Sequence, residues 1–278
     1  MVIIHAAQEL KPAGRPVGVA IGVFDGVHLG HQRVIRQTLA DARALQGLAV
    51  MITFDRHPNA VVAPDRVPPS IYTLPQKLRA LAALGADAAW VIPFDQAFSR
   101  KTGQAFVTGL ACDFGSLRSV CVGAEFTFGH QRSGDLELLR KLGSTLGFAV
   151  HGLEAVTTEG LAVSSTRIRD AIRAGDLDAA SRMLGRAYAL AGRVVRGDGL
   201  GRNLGFPTAN LETRGLALPP TGVYAARALA RGRSRAAVLN LGFRPTLDTT
   251  TPQLRVEAHL PGFDGDLYGE ELELTFVG

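Results

Sequence analysis

Cysteine is scarce: Cys112 and Cys121 are the only two in 278 residues. They make no disulfide framework and lack metal-site spacing, so the expectation is two reduced, buried thiols in a cytoplasmic protein. Long hydrophobic runs are missing too. No stretch approaches the ~20 apolar residues of a membrane span. The opening MVIIHAAQELK has neither the basic start nor the apolar core of a secretory leader, so no membrane partner is expected. Nor is there a run of one charge sign. The net charge is +5, with 30 Lys and Arg against 25 Asp and Glu. The excess is spread thinly and tracks no nucleic-acid backbone; it suits small anionic substrates, with no nucleic acid expected as partner. What remains is ordinary globular composition, 46% hydrophobic and 20% charged, at a length that fits one large or two ordinary domains.

The richest stretch is VGVAIGVFDGVHLGHQRVI, Val17 to Ile35. Val17 to Ile21 has strand composition. Gly22 and Gly26 bracket a turn containing Phe24 and Asp25. His28 and His31 are three apart, on one face of a starting helix, with Gly30 between them leaving room for a ligand. Strand, glycine-rich turn and helix start is a geometry that offers backbone N–H groups and a helix dipole to phosphate.

Residues 32–46 place Val34, Ile35, Leu39, Ala42 and Leu45 at amphipathic-helix spacing, with Gly47 as the stop. Leu48 to Phe54 reads as a buried parallel strand, completing a right-handed crossover. His57 and Pro58 follow at its carboxyl end, where ligands of open α/β sheets collect. Residues 59–70 read as a loop. Leu74 to Leu84 reads as a helix with Lys77 and Arg79 outward. Further strands are expected at Ala88–Pro93, Val120–Val122 and Phe148–Val156. Helices are expected through Phe106 and Leu110, and over Leu136–Leu146. Glu125 stands at a strand end, and Phe126 and Phe128 supply an apolar floor. In Ser164-Ser165-Thr166-Arg167-Ile168-Arg169, Ser165 or Thr166 is suited to cap the next helix, and Arg169 is suited to a bidentate phosphate contact.

After Arg186 the pattern changes to short alternating runs at 192–195, 223–229, 235–241, 254–260 and 271–277, the mark of a small all-β barrel. Its glycine cluster runs from Gly197 through Gly201 and Gly205 to Phe206-Pro207-Thr208-Ala209-Asn210. On a strand, Thr208 and Asn210 face one side, where a hydroxyl and an amide oxygen suit Mg²⁺ and a nucleotide oxygen. Arg255, Glu257 and His259 share one strand face; Val256, Ala258 and Leu260 share the other.

Taken together, GVFDGVHLGHQ, TFDRHP, VGAEFTFG, RSGD, SSTRIR, GRNLGFPTAN, GVYA, NLGFRPT and VEAHL resemble the signatures of bacterial bifunctional riboflavin kinase/FMN adenylyltransferases. The sequence departs from the family at Arg56, where a proline is usual, and at Glu125, often Asp or Asn. The resemblance implies a Rossmann-like nucleotidylyltransferase domain over 1–186, a parallel sheet with helices on both faces. It implies a small antiparallel kinase barrel over 187–278, without the helix that usually follows. For the first domain it implies His28, His31 and Arg169 as catalytic. Gly22, Phe24, Asp25, Gly26, Ser164, Ser165 and Thr166 would hold ATP, and His57, Pro58, Glu125, Phe126 and Phe128 would hold FMN. For the second it implies Glu257 as base, Thr208 and Asn210 on Mg²⁺, and Gly197, Gly201, Gly205, Phe206, Pro207 and Asn240 around ATP and flavin. Riboflavin, FMN, FAD and ATP are the implied ligands, and a monomer or weak homo-oligomer the expected state. A transferase for another acceptor, such as a pantetheine or nicotinate nucleotide, would not carry GFPTAN; a non-catalytic flavin sensor would not need the histidines and Glu257.

Overall fold

Strand β2, Val17–Ile21, is buried at all five positions and occupies the middle of a parallel sheet. The computed structural model describes residues 1–10, 14–197, 207–244 and 253–277. It divides into two compact units: Met1–Pro68 with Leu74–Ser164, and Pro69–Thr73 with Ser165–Gly278.

In the first unit the strands are β1 Val2–Ile4, β2, β3 Leu48–Phe54, β4 Ala88–Ile92, β5 Leu117–Gly123 and β6 Ala149–Leu153, with a small hairpin of β7 Thr157–Thr158 and β8 Leu161–Ala162. The helices are α1 Leu29–Ala44, α2 Asn59–Val62, α3 Leu74–Ala83, α4 Gln96–Ser99, α5 Gly103–Phe114 and α6 Leu136–Leu146. The six strands lie in the order β1-β4-β3-β2-β5-β6, every pairing parallel. The chain builds outward from β2 on one side and then returns to its other side with β5. The strand order therefore reverses beside β2, where open α/β sheets leave a ligand crevice.

Side-chain alternation sends residues to two cores. Val17, Val19, Ile21, Val50 and Ile52 pack with Val107, Leu110 and Leu139 of α5 and α6. Ala20, Ala49 and Met51 pack with Ile35, Leu39 and Leu81 of α1 and α3. Both faces are covered by helices, as a parallel sheet requires. Cys121 is in the second core and Cys112 is exposed, so only one of the two thiols matches the expectation of burial.

The second unit holds α7 Ser165–Ala174, α8 Leu177–Leu184 and six strands: β9 Ala189–Val195, β10 Thr208–Glu212, β11 Gly222–Ala230, β12 Arg233–Arg244, β13 Gln253–His259 and β14 Glu271–Phe276. They close an antiparallel barrel in the order β10-β13-β12-β11-β14-β9. Leu190, Leu211, Leu239, Leu241, Val256, Ala258, Leu272 and Leu274 are buried. Tyr188 is buried against Phe276 and donates its hydroxyl to the Ala217 carbonyl at 2.8 Å. Residues 69–73 join this unit through Ser70, whose N–H bonds Gly215 and whose carbonyl accepts from Ala217. Arg169 Nε donates to the Pro69 carbonyl at 2.7 Å. The expected domains, 1–186 and 187–278, follow motif content; the compact units follow packing, which groups α7 and α8 with the barrel.

Several local expectations need correction. Residues 59–70 are not simply loop; they contain α2 and a 3₁₀ turn at Pro64–Arg66. Edge strand β1, only three residues long, gave no periodicity to read. Leu45 is 45% exposed because α1 ends at Ala44, and the left-handed residue that turns the chain is Gln46 (φ 52°). Gly47 has a different job. A Cβ there would sit 2.3 Å from the Pro16 carbonyl oxygen, a backbone atom that cannot swing away. Gly47→Ala is therefore expected to destabilise the first unit by about 1–3 kcal/mol, the range for overpacking a close-packed site, read as a lowered midpoint in thermal or urea unfolding. An unchanged midpoint would show that the Pro16 backbone yields freely.

Candidate active sites

At the carboxyl end of β2 the chain makes a tight, buried turn. Phe24 (φ 52°) and Val27 (φ 42°) both take left-handed backbone, and Gly26 lies between them at φ 76°. A β-branched residue in that region is strained, of order 1–3 kcal/mol. Burial of Phe24 and Val27, 1% and 0% exposed, holds it in place. Gly22 is required because a Cβ would meet the Phe24 ring at 2.8 Å. The turn delivers His28 to the N-cap of α1, a 16-residue helix.

His28 Nδ1 accepts from the His31 backbone N–H at 3.4 Å, a long bond that leaves a neutral His28 protonated on Nε2. The two imidazoles stack at 3.6 Å between centroids and 20° between planes, and Phe24 meets His31 edge-on at 5.4 Å. Gln32 Nε2 ties back to the Val27 carbonyl at 3.0 Å. The space beside Gly30 is not open for a ligand, as the sequence suggested. A Cβ there would lie 3.2 Å from the His28 ring and 3.8 Å from the Val163 carbonyl, so the glycine makes room for the histidine itself. Two imidazoles at the positive end of a helix suit a polyphosphate.

Beside this turn lies the end of β3. His57 is half-buried, its Nδ1 accepting from the Asn59 N–H at 3.1 Å, with Pro58 next to it. Arg56, in the place of the usual proline, is exposed and pairs with Asp55 at 2.8 Å. Partial burial works to raise the Asp55 pKa. The Arg56 hydrogen bond, the Phe94 N–H and the Arg56 charge outweigh it and hold the carboxyl below its usual range.

Phe126 and Phe128 are half-buried and stack at 5.4 Å, as an apolar floor would. Glu125 is exposed in the turn beyond β5. Phe128 continues through Phe106, Phe98, Phe94 and Phe54, each ring 5.3–6.2 Å from the next. Their chain positions show no common period, which hid this row from sequence reading. A cleft of about 380 Å³ opens beside it, lined by Trp90, Ile92, Phe98, Lys101 and Phe106 among others.

Lys77 was expected outward; it is 8% exposed. Nζ donates to the Val23 carbonyl at 3.2 Å, Thr53 Oγ1 at 3.0 Å and the Phe54 carbonyl at 2.9 Å. Burial lowers its pKa from 10.5 to about 8, against the pull of Asp25 and Asp55. Between pH 8 and 10.5 the unfolded chain thus binds more protons. The burial penalty, on the order of 3 kcal/mol, is present below pH 8 and relieved as pH rises through that window. The signal in the sequence is spacing: Lys77 and Leu81, four apart, share the buried stripe of α3.

In the second unit, α7 begins at Ser165, which leaves Ser164 rather than Ser165 or Thr166 at the flanking position; Thr166 is exposed. Arg169 is buried on α7 with Nε on Pro69.

On the barrel, register brings the remaining residues together. Asn210 pairs with Glu257 across β10–β13, and Glu257 with Asn240 across β13–β12. They form one row on the outer face, opposite the buried row Leu211, Val256 and Leu241. Thr208 pairs with His259 one row away, and His259 Nδ1 lies 2.9 Å from the Pro207 carbonyl. Gly197 lies so close to Asn210 that a Cβ would reach its side chain. Gly201, Gly205 and Phe206 lie outside the described residues. Hydroxyl, amide oxygen and carboxylate on one face are the hard donors that Mg²⁺ takes.

Comparison with known proteins follows the two halves of the chain. A FAD synthetase family model matches residues 11–167, and a riboflavin kinase model matches 184–278. Proteins named bifunctional riboflavin kinase/FMN adenylyltransferase are similar along nearly the whole length. The one from Escherichia coli K12 is 38% identical over 99% of this chain and 88% of its own. That from Pseudomonas fluorescens is 34% identical over 99% and 88%, and that from Bacillus subtilis 33% over 99% and 87%. A crystal structure described as a macrolide-efflux protein from Streptococcus pneumoniae matches with a TM-score of 0.81 at 28% identity, over 99% of this chain and 89% of that one. Among the described residues no helix here is long and apolar enough to cross a membrane. With both family models matched in order, and relatives of this identity covered over most of their length, the chain belongs to the bifunctional riboflavin kinase/FMN adenylyltransferase family.

Proposed function

We propose that this chain makes FAD from riboflavin in two steps, one in each domain, 187–278 and then 1–186. The observation that supports the reading is that two separate clusters of polar side chains, each of a kind suited to phosphate, are assembled: the stacked His28/His31 pair at the N-terminus of α1, and the Asn210–Glu257–Asn240 row on the barrel.

In the kinase step the 5′-oxygen of riboflavin attacks the γ-phosphorus of ATP and ADP leaves. Glu257 accepts the hydroxyl proton as the new P–O bond forms. Asn240 and the segment from Gly197 to Pro207 hold nucleotide and flavin. Thr208 and Asn210 would hold Mg²⁺, which when bound neutralises phosphate charge. Among the described residues no group of three His, Cys, Asp or Glu is arranged for a metal.

In the second step a phosphate oxygen of FMN attacks the α-phosphorus of a second ATP, and pyrophosphate leaves. Little covalent work falls to the protein; positioning and charge stabilisation do most of it. His28 and His31 donate to the oxygens that gain charge. Gly22 through Gly26 and the Ser164–Thr166 segment hold ATP. Arg169 is assigned the pyrophosphate on the strength of its motif. His57, Pro58, Phe126 and Phe128 bound the flavin, with Glu125 at its polar rim. Small molecules in the cytoplasm are the only partners this reading requires.

Incubation with riboflavin, ATP and Mg²⁺, with FMN and FAD separated by chromatography, tests the whole reading; absence of both products would refute it. Changing His28 and His31 to Ala together is expected to abolish FAD formation from FMN while FMN still forms from riboflavin. Loss of both activities in a folded double variant would break the division by domain. Glu257→Gln is expected to slow riboflavin phosphorylation by roughly 10²-fold, the scale of a general base, with FMN adenylylation intact. A Gln variant that phosphorylates riboflavin at the normal rate would remove Glu257 from that role.

A further inference from the structure

Lys77 is a buried cation that none of the steps above uses, and it touches both halves of the adenylyltransferase site. Its three hydrogen-bond acceptors come from two places. Val23 belongs to the turn that presents Asp25 and His28; Thr53 and Phe54 end the strand that leads into His57. Thr53 Oγ1 also donates to the Val23 carbonyl at 3.0 Å, closing a triangle of polar contacts. The two segments are also joined by a backbone hydrogen bond, Gly22 N–H to the Ile52 carbonyl at 3.1 Å. Beyond it β2 and β3 diverge into their loops, one toward the proposed polyphosphate and the other toward the proposed flavin.

We propose that Lys77 is the positioning residue that sets the separation of the nucleotide turn from the flavin-side loop, and so the alignment of the FMN phosphate with the α-phosphorus. The inference rests on the assignment of adenylyl transfer to this domain. An ammonium has three N–H donors and no lone pair, and it meets three oxygen acceptors here, so its donors are matched one to one. A neutral amine has two donors and a lone pair, which would face one of those oxygens. The charged groups facing Nζ are Asp25 from the turn after β2 and Asp55 from the end of β3, the latter already paired with Arg56. The two carbonyls and Thr53 Oγ1, at 2.9–3.2 Å, fix where the ammonium sits. The proton is lost at about pH 8, so the clamp loosens within an accessible range. An exposed structural lysine would show no such loss there.

The experiment uses the full chain and measures FAD formed from FMN and ATP. In Lys77→Met, kcat is expected to fall 10- to 100-fold with the KM values for ATP and FMN changed less than about threefold. Lys77→Arg, which stays charged, is expected to recover a substantial part of that loss and to move the alkaline fall in kcat/KM from about pH 8 to above pH 9. Thr53→Val removes one acceptor and is expected to combine with Lys77→Met less than additively in log kcat, as groups in one network do. The proposal is overturned if Lys77→Met works within threefold of the unmodified chain, or if the alkaline limbs of the Lys and Arg forms coincide. If Lys77→Met does not fold, the Arg form and its pH profile decide the matter alone. Absence of FAD formation by the unmodified chain would instead refute the assignment of this domain, which keeps the two failures distinct.

Discussion

A strained turn has to be buried to persist. Residues 22–28 carry two non-glycine residues in left-handed backbone, and water would let such a segment relax. It holds because Phe24 and Val27 are packed under α1 and α3, and because β2 beneath them is enclosed by β3 and β5. The helix start, the orientation of His28 and the stacking of His31 all follow from where this turn releases the chain. The parallel sheet matters to function mainly as the anvil that keeps the turn in shape. Its strand order reverses at this point, which leaves a crevice beside the turn.

Buried polarity is concentrated at the same place. Lys77, Thr53, Asp25, His28 and Gln32 are all below a tenth exposed, in a unit whose other interior positions are overwhelmingly apolar. A charged amine in such surroundings is a net expense unless its hydrogen bonds are met, and even here the expense is visible in the depressed Lys77 pKa. The barrel follows a different economy. Its interior row is aliphatic, while Asn210, Glu257 and Asn240 lie on the outer face. Their alignment depends on strand register, since a one-residue slip would turn all three inward.

How much of this was legible depended on the kind of signal. Unbroken apolar runs marked β2 and β3, which are buried on both faces; period-3.6 spacing marked α1 and period-two alternation the barrel strands, since one-sided burial writes itself into residue spacing. His28, His31, Thr208, Asn210 and Glu257 stood out because short motifs hold their local geometry. The charge of Lys77 points outward, while its place one turn before the buried Leu81 puts it on the inner stripe of α3. The phenylalanine row as a whole left no trace, since its members come from β3, α4, α5 and the loops after β4 and β5.

The sequence by itself determined the longer strands and helices, that a parallel α/β part precedes an antiparallel barrel, and which family both parts resemble. Those properties are local: they depend on neighbours within a few residues, on glycine where no Cβ fits and on alternation along one strand. Tertiary structure alone decided that the Gly30 space is filled by the His28 ring and that the Lys77 ammonium bridges Val23, Thr53 and Phe54. It alone set Asn210, Glu257 and Asn240 in a single row. The last two join residues far apart in the chain, and the His28 ring reaches its near neighbour Gly30 only because the buried turn holds it there. Whether such groups meet is fixed by sheet order, register and packing, which no single stretch of chain encodes.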